Sequence, residues 1–252
     1  MAYKVRDIYE LCDSLSPFDS QESWDKSGLN LGSLNDECSD IVVCLELSKE
    51  IALSLKPHTL VITHHPLFFR ALSAFHTDTY PANLASILIA KQCSLLSLHT
   101  NFDKSHLNAY LTHNVLKWRH FLPQGLCMYG RIEAMPLMEL GHYVCSALGA
   151  RSVNVVQASV DHLIEEVYVV CGSGCSLLDS LPLLERTCFI TGDIKHHDAM
   201  SAKSMGISLI DMGHYESEKY FVEIFQSILQ NAGYKVIIKD CKNPFSLCLQ
   251  SS

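Results

Sequence analysis

The sequence predicts an α/β protein built as two lobes, and three observations carry that reading. Apolar runs of strand length alternate with stretches of helical periodicity along the chain. The alternation occurs twice, in halves of similar length, residues 1–125 and 126–252. Finally, 252 residues with 48% hydrophobic and 18% charged side chains suffice to bury one large core or two smaller ones.

From the N-terminus, Val5, Ile8, Leu11, Cys12 and Leu15 recur with helical spacing, so Val5–Leu15 is expected to be a helix. A segment rich in Ser, Asp, Gly and Asn reads as loop to about Asp40. Ile41–Leu47 has the character of a strand, and Ser48 can cap the helix behind it. Leu60–Thr63 is a short buried strand that ends at His64-His65-Pro66. Pro81–Gln92 reads as a helix, Ser94–His99 as a strand ending at Thr100-Asn101-Phe102-Asp103, and Asn108–Trp118 as a helix. Phe121–Gly125 is expected to link the lobes. In the second lobe, strands are expected at Ser152–Gln157, Glu166–Cys171, Thr187–Thr191, Ile207–Asp211 and Lys235–Lys239. Helices are expected there at Pro136–Gly149, Ile194–Met205 and Tyr215–Gln230, and the C-terminal part is able to pack with the first lobe. Such alternation favours largely parallel or mixed sheets.

Composition excludes several roles. The formal net charge is −8 and no basic tract occurs, so duplex nucleic acid is not an expected partner. No apolar run approaches the ~20 residues of a spanning helix. Asp7, Glu10 and Asp13 rule out an apolar signal-peptide core in Met1 to Leu15. The 11 cysteines are odd in number and scattered, mostly within apolar runs, and no C-x-x-C pair exists. They read as free thiols packed as small hydrophobes in a reducing compartment, which makes a cytoplasmic protein the expectation.

In open α/β sheets, functional groups collect past the carboxyl ends of strands. Three segments obey that rule together: His64-His65 after one strand, His99 and Asp103 after another, His214 and Glu218 after a third. Each alone has an ordinary explanation: a loop histidine, a helix N-cap, an exposed i,i+4 pair. Their convergence favours metal binding by His64, His65, Asp103, His214 and Glu218, with His99 a further candidate. Five nitrogen and oxygen donors exceed the three protein ligands of one catalytic zinc and suit two divalent ions. Imidazole with carboxylate and no thiolate points to Zn, Mn, Fe or Ni. In an extended segment His64 and His65 would face opposite sides. His196 and His197, after Gly192-Asp193, could face an anionic substrate, with Asp193 capping the helix and Lys195 exposed. Gly172-Ser173-Gly174 could admit a phosphate, although a plain turn is the simpler reading. His58, His76, His106, His113, His120, His142 and His162 lack such context and are read as surface or core residues.

The runs Glu22-Ser23-Trp24-Asp25-Lys26-Ser27-Gly28-Leu29-Asn30-Leu31-Gly32, Thr63-His64-His65-Pro66-Leu67-Phe68-Phe69 and His99-Thr100-Asn101-Phe102-Asp103 resemble signature motifs of one family. So do Thr191-Gly192-Asp193-Ile194-Lys195-His196-His197 and Gly213-His214-Tyr215-Glu216-Ser217-Glu218. This is the NIF-three (YbgI-like) family, whose members are often labelled GTP cyclohydrolase I type 2 homologues; the likeness runs from about Tyr3 to Lys239. It implies two α/β/α lobes with a dinuclear metal site in the cleft between them, held by His64, His65, Asp103, His214 and Glu218. It also implies a ring-shaped homo-hexamer. The expected function is metal-dependent hydrolysis of a nucleotide-like small anion, with His99, His196 or His197 shuttling a proton. The rival readings are a non-catalytic metal-binding regulatory or interaction protein, and a structural metal that only holds the lobes together.

Overall fold

The structure is a computed structural model that describes residues 2–159, 163–182, 185–239, 241–246 and 248; His162 lies outside the described residues. In chain order the elements of the first stretch are β1 (Tyr3–Lys4), α1 (Val5–Leu15), β2 (Gly28–Leu31), β3 (Glu37–Cys38) and β4 (Asp40–Cys44). Next come α2 (Lys49–Ser54), β5 (Thr59–Thr63), α3 (Ala82–Ala90), β6 (Ser94–Ser97), α4 (Thr100–Phe102) and α5 (Asn108–Tyr110). β7 (Leu122–Gln124), β8 (Cys127–Met135), α6 (Leu137–Leu148), β9 (Asn154–Val156), β10 (Ile164–Val169) and β11 (Thr187–Thr191) follow. The chain ends with α7 (His196–Ser204), β12 (Ser208–Asp211), α8 (His214–Glu218), α9 (Tyr220–Asn231) and β13 (Val236–Ile238). It divides into two compact units, Met1–Asn101 with Phe221–Ser252, and Phe102–Tyr220, so the polypeptide crosses between them twice.

The first unit is built on a five-stranded sheet of order β13-β4-β5-β6-β2. Its four neighbours β13, β4, β5 and β6 run parallel, and β2 closes the edge antiparallel to β6. Every residue of β5 is buried, as expected of a strand covered on both faces. Ile41, Val43, Leu60, Ile62, Leu95 and Leu96 are fully buried, and α1 adds Val5, Ile8 and Cys12 at helical spacing. Ser48 caps α2 as its sequence position predicts, its Oγ accepting from the Ile51 N–H at 3.2 Å.

The second unit holds a six-stranded mixed sheet of order β7-β8-β10-β11-β12-β9. β10, β11 and β12 are parallel, while β8 pairs antiparallel with β10 and β9 with β12. Tyr168, Phe189, Leu209 and Ala202 share one buried cluster on this sheet. Gly149, at φ 63°, ends α6 in the left-handed conformation that a side chain resists.

Several segments depart from expectation, and the stretch read as loop to about Asp40 contains β2 and β3. The helix expected from Asn108 starts eight residues earlier at Thr100 and carries two wide π turns, Asp103–Leu107 and Leu111–Val115. Phe121–Gly125, expected to be a link, contains β7, which pairs with β8 as a hairpin. The helix expected over Tyr215–Gln230 is two helices parted at Lys219, whose ammonium bonds the Leu148 carbonyl at 3.1 Å and the Glu216 carboxylate.

Candidate metal centre

In the first unit, the parallel register of β5 and β6 sets Thr63 opposite Ser97. The residues beyond each strand therefore emerge side by side, His64-His65 from one and Leu98-His99 from the other. The two ends are tied by the Leu98 N–H to the Thr63 carbonyl at 2.9 Å and by the Thr63 and Ser97 hydroxyls at 2.9 Å. His64 and His65 do not take opposite faces. Both N–H groups donate to the Leu45 carbonyl, at 2.9 and 3.2 Å, which bends the chain out of the extended pleat. One ring nitrogen from each of His64, His65 and His99 consequently lies within 4.8 Å of the others, a grouping that could hold a metal ion.

Each ring has an anchor. His64, fully buried, uses Nδ1 to bond the Leu98 carbonyl at 2.8 Å. Because a carbonyl only accepts, Nδ1 carries the proton, and in the neutral ring Nε2 is the electron-pair donor. His99 Nδ1 lies 2.8 Å from Asp25 Oδ1, and His65 Nδ1 lies 3.5 Å from Glu46 Oε2. Asp25 is itself buried and accepts from the N–H groups of Lys26 and Thr100 and the hydroxyls of Ser27 and Thr100. Burial alone would raise its pKa; the hydrogen bond and charge of His99 and the Thr100 donors reverse that and hold it well below the usual carboxylate range.

In the second unit the same device recurs. β11 and β12 pair Thr191 with Asp211, so Gly192-Asp193 and Met212-Gly213-His214 leave the sheet together. A Cβ at Gly192 would stand 2.6 Å from the His214 backbone nitrogen, so only glycine permits this approach. His214 Nδ1 bonds Asp193 Oδ2 at 2.7 Å, and its Nε2 lies 3.0 Å from Glu218 Oε2 one helical turn on. Gly172, at φ 63°, lies against Glu218, where any side chain would collide with the carboxylate. Asp103, in the first wide turn, and Glu218 are both buried. Burial, then the charges of Asp103 and Glu218, push the Cys171 thiol well above its ordinary pKa, and its Sγ donates to the Ser217 carbonyl at 3.5 Å.

Two expectations about neighbouring residues change. Asp193 does not cap α7. It sits in the left-handed region at φ 54° and orients His214, while the helix start is Lys195, whose N–H donates to Asp198 at 3.3 Å. Gly172 and Gly174 do not offer their N–H groups to a phosphate: these donate to Ser217 Oγ at 3.0 Å and Thr191 Oγ1 at 2.8 Å. His196 and His197 are exposed on the first turn of α7, with ring centroids 5.5 Å apart. Sequence reasoning gave no role to Asp25 or Glu46 as ring anchors, and it read Gly172 only as part of a turn able to admit a phosphate. The first two act on partners far away in the chain, a relation no local pattern reveals, whereas the left-handed demand at Gly172 left its glycine as a trace.

A donor set of imidazoles and carboxylates, with the rings fixed through their Nδ1 atoms, fits divalent Zn, Mn, Fe or Ni. Among the described residues, no helix is long and apolar enough to cross a membrane.

Residues 3–244 match the family described as Duf34/NIF3 (NGG1p interacting factor 3). The chain is 44% identical over 243 residues to a Helicobacter pylori protein named GTP cyclohydrolase 1 type 2, covering 96% of this chain and 98% of that one. It is 37% identical over 242 residues to a Campylobacter jejuni protein named GTP cyclohydrolase 1 type 2 homolog, with coverage of 96% and 98%. In fold it is similar to the Staphylococcus aureus hypothetical protein SA1388, with a TM-score of 0.80 at 21% identity, covering 97% of this chain and 99% of that one.

Proposed function

The chain belongs to the Duf34/NIF3 family, and from that premise we propose that His64, His65, Asp103, His214 and Glu218 hold two divalent cations in a centre that hydrolyses a nucleotide-like small molecule. One observation carries the reading: both units present histidine rings at the ends of adjacent parallel strands, each ring held through Nδ1, with buried carboxylates completing the donors of the second. Bound there, a cation pair supplies an activated water near neutral pH and stabilises developing negative charge. His99, steadied by Asp25, moves the proton, and its Nε2 is the atom that gives or takes it. His196 and His197, exposed beside Lys195, meet the anionic part of the substrate. The names of the relatives support a guanine nucleotide as the substrate class. The homo-hexamer expected from the resemblance belongs to the same reading, and native mass spectrometry tests it.

Metal-loaded protein incubated with GTP and a nucleotide panel, with products separated by chromatography, tests the activity. Turnover lost in a His65→Ala, Asp103→Ala double variant is the expected result. No turnover above that control overturns the hydrolase; two cations bound per chain without turnover would support a non-catalytic metal-binding protein instead.

A further inference from the structure

Trp24 and Phe69 are large aromatic residues left 51% and 47% exposed, and both stand beside His99. Their ring centroids are 5.7 Å apart, and they lie 6.0 and 5.9 Å from the imidazole. Adjacent exposed aromatic side chains form the kind of apolar patch that meets a ligand or a partner. The mount is rigid. Trp24 precedes Asp25, whose carboxylate ties the loop to His99, Thr100, Ser27 and Lys26, so the indole is carried on the network that orients the imidazole.

We infer that Trp24 and Phe69 form a stacking platform for the planar heterocyclic base of a purine nucleotide, setting the base against His99. The inference rests on the proposed hydrolase and deepens it by assigning the recognition of the base. At 5.7 Å and a tilt of 50° the two rings already touch, so a base cannot slide between them and lies across their joint face. Stacking reads a flat π surface and tolerates different bases. The platform therefore selects for a heterocycle, and against a substrate that is only a sugar phosphate or polyphosphate.

The chain has two tryptophans, and Trp118 is stacked against Phe121 and Tyr143. A Trp118→Phe variant thus leaves Trp24 as the sole indole reporter. The test titrates chelator-treated protein with guanosine, GTP and tripolyphosphate, following Trp24 emission. Guanosine and GTP are expected to quench it, and tripolyphosphate is not. Trp24→Ala and Phe69→Ala, followed by calorimetry, are expected to weaken guanosine binding about tenfold. Trp24→Phe restores most of the affinity, and all three variants keep the wild-type metal content when loaded. Should Trp118→Phe fail to fold, fluorotryptophan-labelled wild type resolves the two indoles by NMR. Absence of any response to millimolar guanosine overturns the platform, as does an equal response to tripolyphosphate. A Trp24 signal that changes with protein concentration alone also overturns it, because a second copy then covers the rings. Base binding without turnover leaves the platform standing and removes the hydrolase; turnover indifferent to Trp24→Ala does the reverse.

Discussion

The two units solve one problem with different donors. In the first, three imidazoles gather at the ends of β5 and β6, and the buried His64 takes its orientation from a backbone carbonyl. In the second, a single imidazole stands with two buried carboxylates, and its orientation comes from the side chain of Asp193, which is 52% exposed. The parallel register does the positioning in both. The difference lies in what fixes the rings: a backbone carbonyl just past β6, beyond the reach of substitution, holds His64, and one mutable carboxylate holds His214. His64 is thus sturdier than His214, although His65 and His99 also lean on side chains, Glu46 and Asp25, and loss of the proposed metal should begin at His214.

The sharpest way to break that contrast is Gly172→Ala. It combines a left-handed backbone with a Cβ forced into Glu218, so a loss of about 3 kcal/mol is expected, with metal lost as well. Thermal unfolding and elemental analysis read both, and wild-type values would remove the argument that Gly172 makes room for Glu218. Asp193→Ala comes next. With its oriented partner gone, His214 should bind metal about 10–100-fold more weakly at unchanged fold stability. Competition with a chelator measures this, and an unchanged affinity would make the two halves equally sturdy.

Asp25→Asn probes the first unit. A carboxyl held below its usual pKa stabilises the folded chain above the unfolded pKa, and that contribution fades as pH falls through the folded value. The variant should lose about 1.5 kcal/mol at neutral pH and show a flatter acid limb, as urea titrations at several pH values would show. The mildest test labels thiols. Burial pushes Cys38 of the first unit up to about 11 and Cys127 of the second up to about 12, so iodoacetamide at neutral pH should modify exposed Cys248 and spare both. Mass spectrometry after digestion gives the answer, and early labelling of Cys127 would show the second unit opening.

Much of this was legible in the residues themselves. α1 and β11 lie where periodicity and apolar runs place them, because local patterning and burial agree there. The β7–β8 hairpin was not legible: Pro123 and Gly125 read as loop, and Gly130 and Arg131 break the alternation that marks a strand. β2 hid for a related reason, since its Gly and Asn are loop residues and its pairing with β6 is supplied from far along the chain. At the site, donor types were readable from strand ends, while the anchors Asp25 and Glu46 were not, because 74 residues separate Asp25 from His99. The expected opposition of His64 and His65 failed because an extended pleat was assumed where the chain bends.

That bend has a thermodynamic consequence. A carbonyl oxygen has two lone pairs, and Leu45 gives both to the successive amides of His64 and His65, making a stiff fork just past the ends of β4 and β5. Folding, rather than capture of a cation, therefore bears the ordering cost of the fork. Titration calorimetry should find little heat-capacity change for the first cation, and the amide protons of His64 and His65 should exchange with solvent equally slowly before and after it arrives.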